Sequence, residues 1–130
     1  MSSSVCVSPN ILLKCVSSVE PNIAVSRNSD LFILSSIYEG LPNVLIESQL
    51  LNKPIISATC PSGPREILMN GKAGILFKNN DLESLVTKIR FYFKNKHKIN
   101  QMVKTGKKNI ERFNYDVNMR KYLKILRSIN

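Results

Sequence analysis

The sequence predicts an α/β fold, a partial Rossmann-like parallel sheet with flanking helices. Three observations predict it. Short apolar runs recur at "LFILSS" (31–36), "PIISATC" (54–60), which is β-branched, and "AGILF" (73–77). Helical patterns alternate with them in units of about 20 residues, as right-handed βαβ crossovers require. A composition of 43% hydrophobic and 22% charged residues over 130 residues suits one globular domain or part of one. Only three strands are visible, whereas a doubly wound sheet usually has five or six, so the chain reads as the back half of such a domain.

The elements follow in order. Residues 1–20 are hydroxyl-rich and broken by Pro9, and Pro21 follows; they read as a poorly specified lead-in, with the domain proper at 21–130. "LFILSS" is an uninterrupted apolar run, suited to a strand buried on both faces. Gly40 and Pro42 punctuate, and "NVLIESQLLN" (43–52) reads as a helix packed through Leu45, Ile46 and Leu50. After the second strand, "PSGPREILMN" (61–70) is a turn and a short helix. Pro64 is tolerated in its first turn and Gly71 is its stop. "NNDLESLVTKIRFYFKN" (79–95) is the clearest helix, capped by Asn80 or Asp81 and packed through Leu82, Leu85, Val86, Ile89 and Phe93. Two further amphipathic helices are expected at 98–113, interrupted by Gly106, and at 114–129.

Composition excludes several classes. No run approaches the roughly 18 apolar residues of a membrane span, and the opening "MSSSVCVSPNILLKCVSS" lacks the pattern of a signal peptide. Cys6, Cys15 and Cys60 show no CxxC or Cys/His pairing and read as reduced thiols, neither a zinc site nor a disulfide frame. Charge is lopsided. Residues 1–83 hold six Lys/Arg against seven acids, whereas residues 84–130 hold thirteen against Glu111 and Asp116. That basic half suits either a solvated helical face or an anionic partner such as a membrane surface. Nucleic acid is disfavoured, because no aromatic interleaving accompanies the charge.

The stretch "SSIYEGLPNVLIESQ" (35–49) carries the chemistry. Ligands of open α/β sheets bind beyond the carboxyl ends of the strands, where loops enter helices. A helix starting at Asn43 offers unpaired N–H groups and a positive dipole end to a phosphate. Gly40 lets the backbone approach a ligand and take positive φ if needed. Glu47 lies about one turn into the helix, roughly 6 Å along its axis, and Glu39 lies on the loop before it. Two carboxylates flanking a phosphate site would each accept hydroxyls from one end of a nucleotide sugar. Spacing alone also fits the plainer reading of a surface Glu47 and a turn Glu39.

The block "S-x-Y-E-G-L-P-N-V-L-I-E", with "KPIISATCPSGPREIL-x3-K-x-GILF" after it, resembles the signature of family 4 retaining glycosyltransferases, group 1 glycosyl transferases of the GT-B fold. The resemblance runs from about residue 20 to the C-terminus. It implies that Glu39 is the candidate catalytic residue, contacting hydroxyls of the donor sugar, and that Glu47 holds the ribose. It implies that Gly40, Leu41, Pro42 and Asn43 lie against the sugar and diphosphate. Arg65, in the family's next glycine-bearing donor loop, either reaches a phosphate or pairs with Glu66 or Asp81. The implied donor is a nucleotide sugar, a UDP-sugar by expectation, with no cofactor and no metal. The implied acceptor is a saccharide or lipid-linked molecule, and the expected location is the cytoplasm, either free or peripheral at the inner face of the membrane. His97 reads as a surface residue, and Phe91, Tyr92 and Phe93 as helix core and rim.

The chain departs from the family in length. By the resemblance, these 130 residues are expected not to include an acceptor-binding N-terminal domain, nor the first strands of the C-terminal domain with the cations that neutralise the leaving diphosphate. Three readings therefore stand: a donor-binding fragment needing a separate chain, an inactive truncated remnant, or a basic membrane- or nucleic-acid-binding module.

Overall fold

The computed structural model describes residues 4–8, 11–14 and 29–129. Among the described residues, five strands form one sheet in the order β1 (Ser4–Ser8), β2 (Ile11–Lys14), β3 (Leu31–Leu34), β4 (Ile55–Ala58), β5 (Ile75–Phe77). β1 pairs antiparallel with β2, and every later pairing is parallel. The sheet is therefore two strands wider than the sequence pattern indicates, both additional strands falling in the stretch read as a lead-in.

Strand β3 is the centre of the sheet and all four of its side chains are fully buried. Because successive side chains point to opposite faces, it feeds two cores. Leu31 and Ile33 join Ile56, Ala58, Ile75 and Phe77 on one face, which is covered by helix α3 (Leu82–Lys94) and the start of α4 (Lys96–Asn109). Phe32 and Leu34 join Leu45, Ile55, Ile67 and Leu68 on the other, covered by α1 (Asn43–Leu50) and the one-turn helix α2 (Pro64–Ile67). A 3₁₀ turn (Ile110–Phe113) and α5 (Tyr115–Ile129) complete the chain.

Helix α1 packs differently from the expected stripe. Leu45 is fully buried and Ile46 packs against the core, but Leu50 is 56% exposed. Ser48 and Gln49 are buried in its place. Ser48 Oγ donates to Val44 O at 2.8 Å and Gln49 Nε2 to Ile67 O at 3.2 Å, while Gln49 Oε1 is buried with no hydrogen-bond partner among the described residues. Gly106 does not interrupt α4. It brings that helix against Gln49, where a Cβ would lie 3.2 Å from Gln49 Cγ. α1 ends in a Schellman motif, with Lys53 N–H bonded to Ser48 O, Asn52 N–H to Gln49 O, and Asn52 at φ 54°.

Helix α3 is also rotated from the expected face. Leu85 and Ile89 pack inward, but Leu82 and Phe93 are largely exposed and Val86 lies at the margin. Tyr92 takes the core position, and its hydroxyl donates to Asp30 O at 3.3 Å. The aromatic ring thus buries its body while its polar tip stays satisfied.

Asp81 caps α3 by accepting Ser84 N–H at 2.9 Å. That hydrogen bond holds the Asp81 carboxyl below its usual range, with Lys78 Nζ assisting at 3.5 Å. A depressed folded value means stability that is complete above the unfolded value, about pH 4, and is lost as pH falls through the folded one. Asp81→Ala is therefore expected to unfold at lower urea than the parent chain near neutrality. In urea titrations run at acid pH, below both values, the two midpoints draw together.

Candidate functional site

The carboxyl ends of β3, β4 and β5 converge on the loop 35–42 and on the start of α1. Helix α1 begins at Asn43 with no side-chain cap and no acidic residue in its first turn. Leu45 N–H bonds back to Pro42 O at 2.9 Å, which leaves the Asn43 and Val44 N–H groups at the helix mouth. An eight-residue helix with this open end presents orphan donors and a positive dipole end to anything placed there.

Glu39 lies half-buried on the loop and Glu47 half-buried one turn into α1. Neither carboxylate forms a hydrogen bond or ion pair among the described residues. Gly40 does not take positive φ. Among the described residues, the space where its Cβ would stand is empty to 4 Å. Leu41 and Asn43 are exposed, whereas Pro42 is buried under the loop that follows β4. Arg65 is exposed on α2 and pairs with neither Glu66 nor Asp81 among the described residues.

Residues that the motif did not single out hold the loop from behind. Cys60 Sγ–H donates to Ser36 O at 2.9 Å, Asn79 Nδ2 to Ile37 O at 2.7 Å, and Ser62 Oγ to Glu39 O at 3.0 Å. Gly63, at φ 84° and ψ −75°, lies directly against the Gly40 carbonyl and Pro42 Cδ. Burial, and secondarily the Glu39 carboxylate, pushes the Cys60 thiol up, so it stays protonated and remains a donor. The only sequence signal for these contacts was the glycine in "CPSGPRE". Their partners lie 23 to 42 residues apart along the chain, beyond the reach of a local pattern.

Two side-chain atoms at this rim, Ser36 Oγ and Asn79 Oδ1, are buried with no hydrogen-bond partner among the described residues. A cavity of about 340 Å³ lies elsewhere, at the start of β5 between Gly71, Gly74, Lys88 and Met102, and no candidate residue lines it. Among the described residues no group of three or more His, Cys, Asp or Glu stands ready to hold a metal ion. No helix there is long and apolar enough to cross a membrane. His97 is exposed.

The same architecture occurs in solved structures. HepE of Anabaena, crystallised in complex with UDP, superposes with a TM-score of 0.71 at 21% identity, over 80% of this chain and 29% of that one. The fold is of the GT-B glycosyltransferase type. Residues 11–109 match the family described as Glycosyl transferases group 1, and the chain belongs to that family. The capsular polysaccharide biosynthesis glycosyltransferase CapM of Staphylococcus aureus is 27% identical over 103 residues, 79% of this chain and 26% of that protein. A lipopolysaccharide 1,6-galactosyltransferase of Salmonella typhimurium is 32% identical over 91 residues, 70% of this chain and 24% of that protein. The chain thus spans about a quarter of the length of these two relatives.

Proposed function

We propose that this chain is the donor-binding part of a retaining glycosyltransferase that takes a UDP-sugar and serves surface-glycan assembly. In that reaction the bond between the anomeric carbon and the diphosphate breaks. The anomeric carbon joins an acceptor hydroxyl oxygen, and that hydroxyl loses its proton as UDP departs. The observation that carries the reading is the uncapped mouth of α1, with Glu39 and Glu47 beside it and neither carboxylate engaged among the described residues. The diphosphate sits at the helix mouth, where N–H donors and dipole offset its charge. Glu47 accepts the ribose hydroxyls, and Glu39 accepts hydroxyls of the sugar beside the reacting carbon. Gly40, Leu41, Pro42 and Asn43 form the floor, and Arg65 reaches a phosphate. UDP in the HepE crystals, and the polysaccharide and lipopolysaccharide roles of the named relatives, support this choice of donor and pathway class.

The acceptor, a saccharide or lipid-linked glycan, is held by a separate polypeptide segment. Helix α5 supports this, because Tyr115, Tyr122, Leu123, Ile125 and Leu126 are all exposed on it, an apolar surface that water covers poorly. The site works on the cytoplasmic side of a membrane, where the basic residues beyond 84 meet anionic lipid.

Calorimetric titration with UDP and UDP-glucose tests the reading. Hydrogen bonds to a charged group are worth about 1.5–3 kcal/mol, so Glu47→Ala weakens both ligands by roughly 10- to 100-fold. Glu39→Ala weakens UDP-glucose and leaves UDP nearly unchanged. Equal affinities in all three proteins would refute the site. Salt-sensitive binding to anionic vesicles that survives both substitutions, without nucleotide binding, would instead favour a basic membrane-binding module.

A further inference from the structure

The loop 36–40 has its carbonyls taken up almost in series. Ser36 O, Ile37 O and Glu39 O each accept a side-chain hydrogen bond, from Cys60, Asn79 and Ser62 respectively, and Gly40 O is pressed against Gly63. No peptide bond among the described residues is cis. In a trans peptide unit the carbonyl of one residue and the N–H of the next point in opposite directions. Anchoring these four carbonyls towards the loops after β4 and β5 therefore turns the N–H groups of Ile37, Tyr38, Gly40 and Leu41 the other way. None of those four N–H groups meets an acceptor among the described residues. Orphan donors arranged in sequence make a concavity for anionic or strongly accepting oxygens, and here they adjoin the open end of α1.

We infer that Cys60, Asn79 and Ser62 are positioning residues: by holding the loop's carbonyls they aim its peptide N–H groups at the oxygen-rich donor. This rests on the donor-site reading above and deepens it. The residues do not touch the donor; they fix which face of the loop the donor meets. Asn79 makes the shortest of the three bonds, and it comes from the chain beyond β5, so it ties two separate βα loops together. Cys60 suits its place because a buried thiol held protonated keeps a donor on Ser36 O without placing a second charge beside Glu39. A carboxylate, or an ionised thiol, in either place would repel the carbonyl it is meant to hold.

The test uses UDP as the probe on the intact chain and reads both nitrogen–proton NMR spectra and calorimetry. Asn79→Asp keeps the side-chain shape but replaces the donor with a carboxylate. The expected result is a displaced Tyr38 amide resonance in the free protein and UDP binding weakened at least tenfold. Cys60→Ser, which retains a hydroxyl donor, is expected to bind UDP more tightly than Cys60→Ala. If the parent chain binds UDP and Asn79→Asp binds it equally with the Tyr38 amide unmoved, the positioning role is overturned while the donor site stands. If the parent chain fails to bind UDP, the donor reading falls and takes this one with it. Should Asn79→Asp not fold, the Cys60 pair decides: equal affinity for Ser and Ala contradicts the inference.

Discussion

Replacing Gly63 with alanine lowers the melting temperature by on the order of 10 °C and abolishes UDP binding at concentrations that saturate the parent chain. Two effects add. Gly63 sits at φ 84° and ψ −75°, close to the strained γ-turn region at roughly φ +75°, ψ −65° that residues with a Cβ rarely enter. Holding a residue in so sparsely populated a region costs about 1–3 kcal/mol. A methyl there also overlaps the Gly40 carbonyl and stands 2.6 Å from Pro42 Cδ. Both obstacles are main chain or ring, so neither can swing aside as a flexible side chain does. The loop carrying Glu39 must move, and it moves at the point where the donor's diphosphate is proposed to sit. Thermal unfolding followed by circular dichroism, with calorimetry at a permissive temperature, separates the fold effect from the site effect. A chain with unchanged melting and unchanged affinity would show that the contact of Gly63 with Gly40 is immaterial.

Leu45→Ala is the second large effect. Its side chain is fully buried in the cluster formed with Phe32, Leu34, Ile55, Ile67 and Leu68, and it anchors the first turn of α1. Deleting a leucine from such a site costs about 2–5 kcal/mol, the spread reflecting how far the surroundings close over the gap. That is a large share of the roughly 5–15 kcal/mol by which native domains are stable. Leu50→Ala on the same helix is expected to change stability by no more than about 0.5 kcal/mol, because Leu50 is mostly in solvent already. Urea unfolding of the two variants side by side checks the pair. The opposite ranking would mean that α1 presents a different face to the sheet.

That pair also shows where local pattern stops informing. Strands β3, β4 and β5 were legible because a parallel strand buried on both faces must be apolar at every position, and "LFIL" and "IISA" are nearly so. The entry into α1 was legible from Gly40, Pro42 and the helix-forming run after them. The inward face of α1 was not, since a polar pair, Ser48 and Gln49, replaces the expected leucine. Gln49 becomes tolerable inside only because Ile67 O lies 18 residues further on to receive its amide. It fits only because Gly106, in a helix that crosses over late in the chain, leaves room beside it. Tyr92 likewise displaced Phe93 from the core because its hydroxyl reaches Asp30 O across the fold. The strand Ser4–Ser8 escaped notice because small hydroxyl residues flank Val5, Cys6 and Val7, too short a run to separate from a loop.

The candidate site divides in the same way. Glu39 and Glu47 stand out in sequence because they bracket a turn and a helix start, whereas their support does not. Cys60, Ser62 and Asn79 are unremarkable residues that matter through carbonyls far from them along the chain. The sequence motif thus marks the groups proposed to face the ligand, while the groups that hold its loop in shape come from the two following βα junctions. Tertiary structure alone brings them together.

Amide resonances followed during a UDP titration address the central claim most directly. The account predicts that the N–H signals of Gly40, Leu41, Asn43 and Val44 move with one saturable dissociation constant, and that Glu47→Ala shifts that constant upward. Movement confined to Gly71, Gly74 and Met102 at the other cavity, or no movement at millimolar UDP, would contradict it.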